Sequence, residues 1–353
     1  MAQSRCMMHG HGNAPAAVTP IAFAIAITEA YALRGRSPEQ ALREARIAPR
    51  LLDDPQARIT AQQFETLSGF AMRELDDEAL GWFSRRLPWG SHGLLCRAAV
   101  TAPDLGIALR RWCRCHGLLT DDVRLSLTTK AGQACLTIHA MRIPDTLREF
   151  CMVSVLRMVH GFACWLVDSR IPLDDLWFPF ARPAHAASYR AMFPGEARFE
   201  AETAGFSFDA DYLALALVRD EAATRAMLQN ALMLTVLQYK RDRLLVDRVR
   251  SLLKEHLRID HLRLATAGLP TAETIAAALA ISSRSLHRQL REEGASLQQI
   301  KDEVRRDKAM DLIQRSNRPL KQVAHLAGFR NEKSFSRAFR DWTGQSPGAL
   351  RRG

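Results

Sequence analysis

Residues 326–351 read LAGFRNEKSFSRAFRDWTGQSPGALR, and this stretch decides how the chain is organised. Gly328 stands where a helix must turn, a position at which positive φ is cheap only for glycine. Asn331 follows as the N-cap of a second helix. Phe335 and Phe339 are an i, i+4 pair suited to burial, and Glu332, Lys333, Ser336 and Arg337 fall on the outer face. Gly344 and Pro347 close the unit. Upstream, Pro319-Leu320 opens the preceding helix, whose core is Val323, Ala324 and Leu326. Two short helices with a tight turn between them make a helix-turn-helix.

The same pattern occurs about 48 residues earlier. Ile275, Ala276 and Ile281 match Val323, Ala324 and Phe329 at an offset of 48, and Leu286, Arg288 and Leu290 match Phe335, Arg337 and Phe339 at 49. Gly268-Leu269-Pro270 breaks the chain before this copy, and Thr271 caps its first helix with Glu273 in the first turn. Ser282 caps a second helix predicted over 283–293. Leu286 and Leu290 face inward there, while Arg284, His287 and Arg288 share the opposite face and can enter one groove. Between the copies, 297–314 reads as one helix, about 27 Å long at 1.5 Å per residue. Two copies cannot stack into a solenoid, but they can read two successive major-groove segments of duplex DNA.

Charge agrees with that reading. The formal net charge is +11, and residues 240–353 carry 24 Lys/Arg against 13 Asp/Glu, whereas residues 1–239 carry 25 of each. A basic third joined to a neutral remainder is the footprint of a nucleic-acid module fused to something else. The stripe Leu244, Leu245, Val249, Leu252, Leu253 and Leu257 lasts about two heptads, which favours a core helix over a coiled coil. Tyr239-Lys240-Arg241-Asp242 is the expected junction.

Residues 1–19 are small, polar and Gly/Pro-bearing and read as a disordered lead, with His9 and His11 lacking the neighbours a metal site needs. From Pro20 to Leu119 helical periodicity dominates. Ser37 and Pro38 start a helix through Leu42 and Ile47; Thr60 caps another with Phe64, Leu67 and Met72 on one face; 104–118 carries Leu105, Leu109 and Trp112. Val123, Leu125 and Leu127 alternate with polar residues, as do Leu136, Ile138 and Ala140, with Lys130-Ala131-Gly132-Gln133 as the hairpin connection. An apolar helix over 150–167, a strand over 176–180 and a strand pair over 199–208 complete an α+β domain built on a small antiparallel sheet. From Asp220 onward the pattern is helical.

The seven cysteines, Cys6, Cys96, Cys113, Cys115, Cys135, Cys151 and Cys164, are odd in number and scattered, as in a reducing compartment. Cys113 and Cys115 diverge on a helix, so neither they nor His116 form a metal site. No uninterrupted apolar run approaches the ~18 residues of a membrane span, and 21–27 reads as a first core helix. Arg110, Arg111, His160, Arg182 and His185 are candidates to line an anion pocket, each weighed against a surface or core role. Trp112, Trp165, Trp177 and Phe180 are core aromatics first and cavity walls second. No phosphate loop, catalytic triad or paired metal motif is present, and no cofactor is expected.

The last 110 or so residues resemble the AraC/XylS family of bacterial transcription regulators. The family's alanine, glycine, phenylalanine pair, arginine and Gly-x-x-Pro ending fall on Ala324, Gly328, Phe335, Phe339, Arg337, Gly344 and Pro347; Ala276 is the equivalent alanine in the first copy. The first copy departs at Glu293-Gly294, which closes its reading helix one residue early. The resemblance implies base reading by Arg284, His287, Arg288, Glu332, Lys333, Ser336 and Arg337. TAPDLGIALRRW and FDADYLALALVRDEAA, within residues 20–230, are similar to the α+β arabinose-binding-type sensor of one branch of that family. The expected fold is therefore mainly α: an α+β sensor with a small antiparallel sheet, then an all-α domain with two helix-turn-helix units joined by a helix. The expected divisions are a lead at 1–19, a sensor at 20–239 and a DNA-binding domain at 240–353, with units at 271–293 and 320–342. The resemblance also implies a small-molecule effector of unknown identity, RNA polymerase as a partner, a homodimer, activation and a cytoplasmic location. Two competitors stand beside it: an AraC-type reader fused to an alkylation-repair enzyme, and an architectural DNA protein. The first needs a cysteine cluster and a Pro-Cys-His-like motif, and here Arg114 precedes Cys115-His116.

Overall fold

The two regions fold for different reasons, the first around a long apolar helix and a sheet, the second around two long amphipathic helices on which shorter capped helices pack. The computed structural model describes residues 17–229, 244–263, 268–279 and 281–352, which fall into two compact units, 17–229 and 244–352. His9, His11, Cys6 and the Tyr239–Asp242 junction lie outside the described residues.

In the first unit, β1 (Ala17–Pro20) pairs antiparallel with β2 (Arg58–Thr60). The end of the expected lead is thus structured: Thr19 is buried beneath this pairing. Helix α1 (Ile21–Ala32) buries Ile21, Phe23, Ala24 and Ile27 as a first core helix. Helix α2 (Glu39–Glu44) is shorter than the periodicity predicts. Arg46 takes φ 52 and ends it, so Ile47 reaches the core from beyond the helix. The Ser37 hydroxyl accepts the Glu39 N–H at 3.3 Å, one residue off the expected frame. Helix α3 (Ala61–Leu75) starts in a capping box: Thr60 Oγ1 accepts the Gln63 N–H at 3.1 Å, and Gln63 Oε1 accepts the Thr60 N–H at 3.0 Å. Helices α4 (Ser91–Val100) and α5 (Leu105–Leu119) follow, the latter capped by Asp104.

Strands β3 (Val123–Lys130) and β4 (Gln133–Ala140) form the predicted hairpin, with Ala131 and Gly132 both at positive φ, 48 and 79, as a two-residue type I′ turn requires. With β5 (Asp175–Trp177), β6 (Ala197–Arg198) and β7 (Ala204–Asp209) they make a sheet of order β3-β4-β7-β5-β6. Its neighbours are antiparallel except β5 and β6, which are parallel. Residues 199–203 do not pair as the 199–208 reading expected. Phe199 leaves the ladder to pack 6.2 Å from Phe178 and 6.1 Å from Phe180, centroid to centroid. Gly205 is obligatory at the crossing: a Cβ there would lie 2.5 Å from both the Leu136 carbonyl and the Trp177 ring.

Helix α6 (Asp145–Val167) begins five residues before the expected apolar segment. By length and composition it is apolar enough to cross a bilayer, yet 89% of its most apolar window is buried inside the unit. It packs against α1, α5 and β7 as the core helix. Helix α7 (Tyr189–Met192) is one turn, and α8 (Glu221–Leu228), capped by Asp220, is the last described element of this unit.

Candidate nucleic-acid interface and sensor cavity

The second unit is assembled on helix Leu244–Arg263. Its Leu245, Val246, Val249, Leu253 and Leu257 are buried against Ile275, Leu286, Leu290, Ile300 and Val304, which makes it a core helix rather than one strand of a coiled coil. Thr271 caps helix Ala272–Ala278, its hydroxyl accepting the Thr274 N–H at 3.3 Å. Ala276 is buried at 2% exposure, small enough for the crossing helix to approach. Ser282 Oγ accepts the Ser285 N–H at 3.1 Å and starts the first reading helix, Ser283–Glu292.

Leu286 and Leu290 are buried on that helix, and Arg284, His287 and Arg288 are exposed together opposite them. Arg288 donates to Glu292 at 2.8 Å, an exposed i, i+4 pair that water screens. Arg291 extends the same exposed face; its spacing of three from Arg288 signals this, although the reading above passed over it. Glu293 is a second omission. It is buried, and its carboxylate accepts the N–H groups of Leu245 and Val246 at 3.1 and 2.8 Å. It thereby caps the positive end of helix Leu244–Arg263 from 48 residues away.

Helix Leu297–Arg315 joins the two helix-turn-helix copies, its 19 residues spanning about 28 Å. Ser296 and Gln299 form a capping box at its start. In the second copy Val323 and Ala324 of helix Leu320–Leu326 are buried with Phe335 and Phe339. The aromatic rings interlock, with centroids 5.5 Å apart for Phe329 and Phe335, 5.6 Å for Phe335 and Phe339, and 5.8 Å for Phe329 and Trp342. Gly328 has φ +78, and a Cβ there would stand 3.2 Å from Leu257 Cδ2. Arg305, half-buried on the joining helix, lies 4.9 Å from the Phe329 ring centroid and donates to the Gly328 carbonyl at 3.2 Å. Burial lowers its pKa from the usual guanidinium value.

Asn331 Oδ1 accepts the Ser334 N–H at 2.8 Å and opens the second reading helix, Glu332–Thr343. Glu332, Lys333 and Arg337 are exposed, Ser336 is half-buried beside them, and Arg340 continues the face. Gly344 ends the helix at φ 75. Pro347 does more than stop the unit, because it begins a further short helix, Pro347–Arg352. The fold thus brings Arg284, His287 and Arg288 onto one helix face and Glu332, Lys333, Ser336 and Arg337 onto another. Both faces can supply charged donors to phosphates and guanidinium forks to base edges.

The first unit holds an open-sided cavity of about 710 Å³ between α3, α4, α8 and the loop 76–90. Its walls include Phe70, Trp82, Phe83, His92, His116 and Met158. None of Arg110, Arg111, His160, Arg182 and His185 lines it. Arg110 and Arg111 are exposed, Arg111 donating to Thr101 at 3.1 Å. Arg182 stacks over Phe199, and His185 pairs with Glu149 at 2.6 Å. His160 is a core histidine whose Nε2 meets the Ile171 carbonyl at 2.8 Å, and burial drives its pKa down to about 3. Trp112, Trp165, Trp177 and Phe180 do not line the cavity either, although Trp112 stands behind its wall with its ring centroid 5.4 Å from that of His92. His92 and His116 do border it; burial lowers both to about 4 and keeps them neutral. These wall residues come from four separate segments, so no local spacing marks them. Among the described residues no group of three or more His, Cys, Asp or Glu could hold a metal ion.

The comparisons match this architecture region by region. Residues 35–217 match the family described as "Arabinose-binding domain of AraC transcription regulator, N-term", and residues 275–353 match "Helix-turn-helix domain". The Pseudomonas aeruginosa protein named "Ornithine utilization regulator" is 30% identical over 343 residues, covering 96% of this chain and 98% of its own. The transcriptional regulator CdpR of the same organism aligns over 92% of this chain and 98% of its own at 21% identity, with a TM-score of 0.30. The DNA-binding domain of AdpA, solved with a target DNA, aligns over 30% of this chain and 89% of its own at 28% identity, with a TM-score of 0.26. With a neutral ligand-binding-type domain before a doubled helix-turn-helix, this chain belongs to the AraC/XylS family of transcription regulators and has an arabinose-binding-type N-terminal domain.

Proposed function

We propose that this DNA-binding transcription regulator reads two successive major-groove segments, one with Arg284, His287 and Arg288, the other with Glu332, Lys333, Ser336 and Arg337. The supporting observation is the pair of capped helices that each bury an apolar pair and expose a charged face on the opposite side. The sensor is residues 20–239, the DNA-binding domain 240–353, and a small-molecule effector bound by the sensor switches the protein as an activator. RNA polymerase is its transcriptional partner, and it works as a homodimer in the cytoplasm. The name of the 30% identical relative, which refers to ornithine utilization, supports a small metabolite as effector.

The first unit is a ligand receptor and not an enzyme. Burial pushes the thiols of Cys96, Cys113 and Cys151 up, away from the thiolate an alkyl acceptor requires. The test is a fragment of residues 240–353 titrated with duplex DNA at increasing salt. Affinity should fall steeply as condensed counterions are released. Affinity that barely changes with salt would contradict the proposal.

A further inference from the structure

We propose that the cavity of the first unit is the effector site and that it selects an organic cation with an apolar body. This deepens the reading of that unit as a sensor and rests on it. At about 710 Å³ the cavity falls in the range of small-molecule sites, and Phe70, Trp82, Phe83, Leu95, Val155 and Met158 give it aromatic and aliphatic walls.

Its charge is decided by which groups are already engaged. Of the two lining arginines, Arg97 is neutralised by Glu221 at 3.0 Å, while Arg73 lies over the Trp89 ring at 5.3 Å and keeps its charge, so Glu44, Glu65 and Glu78 outnumber the one unneutralised cation. Glu78 is also engaged, accepting the Gly90 N–H at 2.7 Å and the His92 N–H at 2.6 Å at the start of α4. Glu65 on α3 is half-buried in the wall, and no described residue hydrogen-bonds or ion-pairs with it. Glu44 on α2, exposed at the rim, is likewise without a partner among the described residues. The uncompensated charge of the wall is therefore negative. Partial burial raises the Glu65 pKa, the response of a carboxylate that lacks a cation. An ammonium beside Glu65 supplies that cation, and aromatic rings such as those of Phe70 and Trp82 in the wall attract the same sign of charge wherever they turn a face to it.

The site is also placed to signal. Leu228 and Gln229 close one wall and stand 16 and 15 residues before Leu244, where the first described helix of the second unit begins. Helix α8 holds its place on α4 through the Arg97–Glu221 pair and through Leu228, whose Cδ1 approaches to 3.3 Å of where a Gly93 Cβ would be. A ligand filling the cavity changes what Leu228 packs against.

The experiment uses the full chain and three probes with one apolar body: phenylbutylamine, phenylbutanol and phenylbutanoate. Binding is followed by the change in tryptophan fluorescence, to which the wall residues Trp82 and Trp89 contribute, and by melting temperature. The amine should bind at least tenfold more tightly than the alcohol or the carboxylate, and Glu65→Gln should remove that preference. Glu65→Lys should invert it, which guards against a substitution that merely damages the wall. Equal binding of the three probes, preference for the carboxylate, or unchanged selectivity in Glu65→Gln would overturn the cation assignment. Affinity for a duplex selected by the full chain is then measured with and without the amine. A change there supports the effector assignment. Selective amine binding with no change in DNA affinity would overturn that assignment while leaving the cavity's chemistry standing, so the two failures are distinguishable.

Discussion

The two units of this protein handle buried polarity in opposite ways. Of the thirteen buried polar or charged side chains among the described residues, twelve lie in the first unit and only Glu293 in the second. The first buries His116, His160, Asp77, Asp122 and Arg157 in its interior, and of these only His116 borders the cavity. The second keeps nearly all its charges at the surface and fills its core with aliphatic and aromatic side chains. A reader of DNA needs a rigid apolar platform with its charges outside.

That contrast is broken most easily with acid. Burial holds His92 and His116 at about 4 and His160 at about 3, against 6.5 when unfolded. As pH falls below 6.5 the unfolded first unit takes up protons that the folded unit refuses, so stability falls from there toward the folded values. Each histidine contributes up to about 1.4 kcal/mol per pH unit. Glu65 and Glu78, with raised pKa values, work in the opposite direction nearer their own range, so the window just below 6.5 is the clearest. The second unit buries no histidine among its described residues and should not share this loss. Hydrogen exchange resolved by peptide at pH 6.5 and 5.5 checks this, and equal loss of protection in both units would refute it.

Within the second unit the two copies of one pattern are fastened differently. In the second copy the fastening is steric. Gly328→Val places a β-branched residue at φ +78 and a Cβ within 3.2 Å of Leu257 Cδ2. The strain is on the order of 1–3 kcal/mol. It should misplace helix Glu332–Thr343 and abolish contacts from Lys333 and Arg337, while the first unit keeps its fold. Wild-type DNA affinity in this variant would count against the turn as described.

In the first copy the fastening is a carboxylate. Glu293→Gln keeps one acceptor oxygen but loses the charge that meets the Leu245 and Val246 N–H groups. A loss of about 1–2 kcal/mol is expected, read as a lower denaturation midpoint of residues 240–353. No change would mean that the cap is dispensable. Smaller again is Arg305→Lys, which retains charge but not the planar stack over Phe329; about 0.5–1 kcal/mol is expected from the same denaturation curve.

The same contrast governs how much was legible in the sequence. Thr271, Ser282 and Asn331 announce their helices because a cap acts over three residues, and Leu286 with Leu290 or Phe335 with Phe339 needs only one turn. The Ala131-Gly132 hairpin was readable for the same reason. Glu293 was read only as a helix end, since its partners are 48 and 47 residues away. The cavity escaped altogether: Glu65, Trp82, His92 and Leu228 meet only after α3, α4 and α8 have packed. The arginines and histidines singled out for it went to surface pairs or the core, where a charged or imidazole side chain can be satisfied without a ligand.

The central claim, that the two exposed faces read separate groove segments, is tested most directly by selecting preferred duplexes with wild type, Arg288→Ala and Arg337→Ala. Each substitution should cost about 1–3 kcal/mol in specific binding and relax preference at one or two base pairs, the two sets lying about one helical turn apart. Preferences that are unchanged, or relaxed at the same base pairs in both variants, would contradict the account.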